Sequence, residues 1–173
     1  MSQPKVLVAQ LGARRHYQQP ILLQKWGILD KFYTDFYAGN NIFFNSLRNP
    51  IFYKNLPSLF KKGLDRYEQE LENARICHSP LLAYQYARQR KNSSVEEKQG
   101  LLIEVAKKFS NRIIKNGLGD ANIIYGFNGA SLELFEFAKR NGIRCILDRV
   151  IAERSLLHKL LLEEEKYWRD WSV

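Results

Sequence analysis

Lys5-Val-Leu-Val-Ala-Gln-Leu-Gly-Ala-Arg-Arg-His16 is the stretch whose reading decides the fold. Its first half, Lys5 to Gln10, is a continuous apolar run bounded by Pro4 and Gly12. A run without polar alternation is the pattern of a strand buried on both faces of a parallel sheet. The second half is a polar loop, after which apolar residues stand at 17, 21, 22 and 26 with Gly27 just beyond. That spacing predicts a short amphipathic helix from Tyr17 to Trp26, ended by its glycine. Phe32-Tyr-Thr-Asp35 reads as the next strand, and together these segments make one βαβ unit.

The far half repeats this grammar. Asn122-Ile-Ile-Tyr-Gly126 is a predicted strand, Ala130 to Asn141 a helix stopped by Gly142, and Ile143-Arg-Cys-Ile-Leu147 another strand. Ahead of them, Ser93-Ser-Val-Glu-Glu offers two overlapping Ser-x-x-Glu capping boxes. Leu102, Val105, Ala106, Phe109 and Ile113 then mark one face of a long helix. A shorter strand is expected around Ile76-Cys-His78, followed by a helix from Leu81 to Arg90. Ile151 to Trp168 reads as a final helix with an acidic block at Glu163, Glu164 and Glu165. Alternation of strand and helix means an α/β fold, a Rossmann-like parallel sheet flanked by helices. With 173 residues the chain can bury one good core, so one domain is expected over 1–173.

The segment 36–64 breaks the pattern. It has no acidic residue, yet holds Arg48, Lys54, Lys61 and Lys62 among Phe43, Phe44, Phe52, Tyr53 and Phe60. Pro50, Pro57 and five asparagines divide it into short helical turns, and it reads as a basic, aromatic, helical insert. Such a segment suits a membrane interface, where rings settle at headgroup level and each lysine near anionic lipid gains roughly 1 kcal/mol. It suits an acceptor groove as well, and an ordinary insert whose aromatics pack on the sheet. The net charge of +9 fits an anionic partner of some kind. No recognition-helix, RRM or OB pattern accompanies it, so no specific nucleic acid is expected.

Cys77 and Cys145 lie in apolar stretches that read as buried strands, and are expected to be reduced packing residues. The apolar run after Met1 is too short for a signal peptide, and no stretch approaches the ~20 apolar residues of a membrane span. A cytoplasmic location follows as the expectation, with peripheral contact at the inner face of the membrane as its extension. The chain lacks a P-loop, a zinc pattern and a nucleophile elbow, so no metal and no cofactor are expected.

Candidate site residues fall where open α/β sheets place ligands, in the loops leaving the carboxyl ends of the strands. Gly12, Arg14, Arg15 and His16 leave the first strand, and two arginines beside a helix N-terminus suit phosphate or carboxylate. Asn128 and Gly129, in Gly126-Phe-Asn-Gly129, leave the later strand. There Asn128 reads equally as an N-cap, and glycines allow a ligand close to the backbone. Asp35 and Asp148 end strands at the same edge as ligand contacts or caps, and Glu153 and Arg154 are within reach of it. A solvated basic turn is the plainer alternative for 12–16.

With these segments in place, the chain resembles the N-terminal domain of bacterial GT-B-type glycosyltransferases, of the large retaining, family 4-like group. The resemblance rests on residues 6–17, on Phe-Tyr-Thr-Asp at 32–35 and on 124–137, which begins Ile-Tyr-Gly-Phe-Asn-Gly-Ala-Ser-Leu-Glu-Leu-Phe. It implies the acceptor-side half of a two-domain enzyme that moves a sugar from a nucleotide-sugar to a sugar or lipid-linked acceptor. Gly12 would lie by the donor diphosphate. The donor half, with its glutamate-containing motif, is not within these residues, so this half is expected to be inactive alone. Phe127 and Asn128 also stand where many relatives carry a histidine, and no catalytic residue is assigned. Two rival readings are a non-catalytic module binding a phosphorylated ligand, and a membrane-surface adaptor using 36–64.

Overall fold

In a computed structural model, residues 3–39, 42–149 and 152–168 are described. The elements in chain order are β1 (Val6–Gln10), α1 (Gln18–Lys25), β2 (Leu29–Thr34), α2 (Ile42–Arg48), α3 (Pro50–Tyr53) and α4 (Ser58–Leu64). There follow β3 (Ile76–His78), α5 (Pro80–Lys91), α6 (Val95–Asn116), β4 (Ile123–Phe127), α7 (Leu132–Arg140), β5 (Arg144–Asp148) and α8 (Arg154–Tyr167). The five strands form one parallel sheet in the order β3-β2-β1-β4-β5, flanked by helices in a Rossmann-like α/β arrangement.

The apolar run at the start of the chain becomes the central strand, and all five residues of β1 are buried. Its side chains alternate between two cores, as the period of two requires. Leu7 and Ala9 join Val105, Phe109, Ile113, Ile124 and Leu134 on the side covered by α6 and α7. Val6 and Val8 join Tyr17, Phe32, Tyr37, Leu71 and Phe127 on the other side. A strand clamped between two cores tolerates no polar residue in its middle, and this is why its sequence runs apolar without a break.

The helix signals act as anticipated at several ends. Ser94 caps α6 by accepting from the Glu97 N–H at 3.2 Å while the Glu97 carboxylate accepts from the Ser94 N–H at 2.8 Å. Gly27 and Gly142 take positive φ just after α1 and α7. The segment 36–64 is divided into α2, α3 and α4, with Pro50 opening α3 behind an Asn49 cap.

Three local readings change. The buried side of α1 runs through Pro20, Ile21 and Leu23, while Leu22 and Trp26 are exposed. The helix begins only at Gln18, so Tyr17 is not part of its helical face and the register rotates. Cys77 and Cys145 are free thiols as expected, but they lie on the two edge strands and are half-buried. Beside Cys145, Ile146 and Leu147 of β5 are 46% and 47% exposed, because no further strand or helix among the described residues covers that edge. Ile151, where the last helix was expected to begin, lies outside the described residues. α8 starts at Arg154 behind Glu153.

Candidate functional site

The strand order reverses between β1 and β4. From β1 the chain builds outward through β2 to β3, then returns to the other side of β1 to place β4 and β5. At such a switch point the two loops leaving the adjacent strands diverge and leave a crevice at the carboxyl edge. Here those loops are 11–17, after β1, and 128–131, after β4. Strand pairing of Val6 with Ile123 through Ala9 with Gly126 sets them side by side.

The first loop is held in an unusual backbone. Arg15, His16 and Tyr17 all have positive φ, at 49°, 46° and 56°. Three consecutive non-glycine residues in the left-handed region cost about 1–2 kcal/mol each. Two anchors hold the turn closed. Tyr17 is buried, packs edge-on against Phe32 at 5.3 Å and Tyr37 at 5.7 Å, and donates from its hydroxyl to the Phe36 carbonyl at 3.3 Å. Burial pushes its phenol pKa well above the ordinary tyrosine value. Gln10, fully buried at the end of β1, donates from Nε2 to the carbonyls of Gly12 and Arg14, both at 3.0 Å. Its Oε1 has no hydrogen-bond partner.

This turn sends its arginines toward the β4 and β5 loops. Arg14 donates from Nη1 to Asn128 Oδ1 at 3.3 Å and lies over the Phe127 ring at 5.7 Å. Among the described residues it has no carboxylate partner, so its charge is left uncompensated. Arg15 approaches Asp148 at 3.8 Å, with half of its side chain exposed. Asp148 accepts from the Tyr125 hydroxyl at 2.9 Å, and burial, followed by this carboxylate, pushes the Tyr125 phenol up to about 12. His16 is exposed and has no hydrogen bond or ion pair to this cluster among the described residues, and its charge acts on Glu68.

Asp35 closes the other flank. It is buried, accepts from the Gly12 N–H at 3.0 Å and from Thr34 Oγ1 at 3.2 Å, and pairs with Arg66 at 2.9 Å. Both edge carboxylates are therefore engaged inside the chain. Neither is a helix cap, which excludes that alternative for them. Glu153 does cap: its carboxylate accepts from the Ser155 N–H at 3.1 Å, so it serves α8 and not the sheet edge. The side chain of Arg154 lies outside what is described.

Asn128 is not the N-cap of α7, a position held by Ser131. The Asn128 N–H instead donates to the Asp148 carbonyl at 3.0 Å, joining the β4 loop to the end of β5. Gly129 has φ +80° and open space where a side chain would begin, so its role is the turn itself. Gly126 is the glycine needed for close approach, and what approaches it is the protein's own Ser131 and Phe135. Asn128, Gly129, Leu132, Phe135, Leu147 and Arg149 border an open groove of about 510 Å³ beside the arginine turn.

The structure thus joins Arg14 to Asn128 and Arg15 to Asp148, sets Gly129 on the groove, and leaves His16 outside. Sequence reasoning missed Gln10, Tyr125, Arg66 and the left-handed turn. Gln10 carried one signal, a polar side chain ending an otherwise apolar buried run. No protein-family model, curated protein or solved structure matches this chain.

Proposed function

We propose that the carboxyl edge of this sheet is the acceptor-side wall of a cleft for sugar transfer from a nucleotide-sugar, and that it acts by binding an anionic group at Arg14. The observation that carries the reading is the uncompensated Arg14 guanidinium, aimed at Asn128 across the switch point by a strained turn. A guanidinium with several unused donors is suited to a phosphate or carboxylate, and the strained turn fixes it before the ligand arrives. The assignment to sugar transfer rests on the resemblance carried by residues 6–17, 32–35 and 124–137. In this reading Asn128 and Gly129 line the ligand side of the groove, and Arg15 supplies a second positive charge.

A simpler second reading, a non-catalytic module for a phosphorylated ligand, is favoured by the engagement of both edge carboxylates. Asp35 and Asp148 are each tied to internal donors, which gives both a role inside the chain that needs no chemistry at the cleft. Both readings require anion binding at Arg14, and they part over the nucleotide. Calorimetric titration of the chain with glucose 6-phosphate and with UDP-glucose at low salt separates them. The acceptor-side reading expects both to bind weakly, with the nucleoside adding little, and Arg14→Ala to weaken each by roughly 10- to 100-fold. Unchanged binding in Arg14→Ala overturns both readings. Much tighter binding of UDP-glucose overturns the acceptor-side assignment.

A further inference from the structure

We propose that the outward face of α2, α3 and α4 docks on an anionic lipid surface. The aromatics of this segment divide into two sets. Phe36 and Phe44 face inward: Phe36 packs on Phe44 at 6.2 Å and on His78 at 6.0 Å, and Gly63 of α4 sits against its ring. Phe43, Ile51, Phe52 and Phe60 do the reverse, with exposures of 68%, 74%, 57% and 60%. Phe43 touches Phe44 edge-on at 5.5 Å, yet most of its ring stays in water while Phe44 is half-buried against Phe36. Four large apolar side chains within eighteen residues, one or more on each of three short helices in contact, are a standing cost unless something apolar covers them.

Charge names the partner. Residues 36–64 contain no aspartate or glutamate. Arg48 is internal to the fold, donating to the carbonyls of Gly39 and Leu64 and stacking over Tyr67 at 4.5 Å. Lys54, Lys61 and Lys62 remain. Lys61 donates to the Lys54 carbonyl at 2.9 Å and lies 5.6 Å from the Tyr53 ring, which draws α4 against the end of α3. None of the three has an ion-pair partner among the described residues. Lysines beside exposed hydrocarbon match the two layers of a lipid interface, phosphate above and acyl chain below. A single-stranded nucleic acid would use rings for stacking, but the most exposed of the four residues is Ile51, which has none. In the described residues no helix is long and apolar enough to cross a membrane, so the contact lies in the interface plane.

Co-sedimentation of the 173-residue chain with phosphatidylcholine vesicles, with and without phosphatidylglycerol, tests this. Binding is expected to the anionic vesicles, and to weaken as salt screens the lysines. Lys54→Gln, Lys61→Gln and Lys62→Gln should each lower the partition constant roughly fivefold. Phe43→Ser with Phe52→Ser should lower it by roughly tenfold or more, and Phe60→Ser provides an independent variant. Trp26→Ser, which removes a similarly exposed ring just after α1, should leave it unchanged. Thermal melting confirms that each variant folds, as expected for exposed positions. Equal binding to neutral and anionic vesicles, no binding, or an equal loss in Trp26→Ser overturns the proposal. So does single-stranded RNA that binds the wild-type chain while the vesicles do not.

Discussion

His16 stands in the middle of three left-handed residues, exposed, and its side chain makes no hydrogen bond among the described residues. Its side chain therefore adds the steric cost of that conformation and returns little packing. Replacing it by glycine removes the clash between Cβ and the carbonyl, at about 1–2 kcal/mol, against the extra backbone entropy that glycine gives up on folding, about 0.5–1 kcal/mol. His16→Gly should stabilise the protein by about 0.5–1 kcal/mol in urea unfolding, and a loss of stability would mean that the turn is not left-handed in solution. The same substitution should weaken anion binding at Arg14, because a freer turn no longer holds the guanidinium in advance. Of this residue-level detail little was legible. The two arginines and the glycine announced a basic loop, but a left-handed path through Arg-His-Tyr contradicts the local preference of all three. It persists only because Gln10 and the burial of Tyr17 hold it from outside the loop.

At the scale of elements, β4 and α7 meet through Gly126. Its backbone is ordinary, so the requirement is one of space: a methyl group there would stand 2.9 Å from the Phe135 ring and closer still to Ser131 Oγ. Gly126→Ala should cost about 1–3 kcal/mol by chemical denaturation and shift the 128–131 turn with it. Adding Ser131→Ala should recover part of that loss, since the nearest atom is then gone, and a double variant no better than the single one would refute this packing account. Element identity was mostly readable. The capping box at Ser94 and Glu97 set the start of α6, and the apolar spacing of 105, 106, 109 and 113 named its buried face. What escaped was the placement of ends and faces. β2 starts at Leu29, three residues before the Phe32 expected, and α1 turns a different side inward because its first residue is Gln18.

Across the whole molecule, Phe109 is the side chain on which the larger core converges: it is almost fully buried on α6, among residues of β1, β4 and α7. Phe109→Ala should cost about 3–5 kcal/mol and lower the thermal midpoint accordingly; a loss below 1 kcal/mol would show that α6 does not pack as described. By itself the sequence determined the alternation of strands and helices, the burial of the first strand on both faces and the basic, aromatic character of 36–64. Those are local properties, written in hydrophobic period, capping residues and proline. Only the tertiary structure decided the strand order, in which Val6 pairs with Ile123 more than a hundred residues away, and so decided that Arg14 meets Asn128. It also decided which aromatics of 36–64 face the protein and which face water. A period can say that a strand is buried or a helix two-sided, but its neighbour is chosen by the pairing of distant segments, and that choice depends on the packed whole.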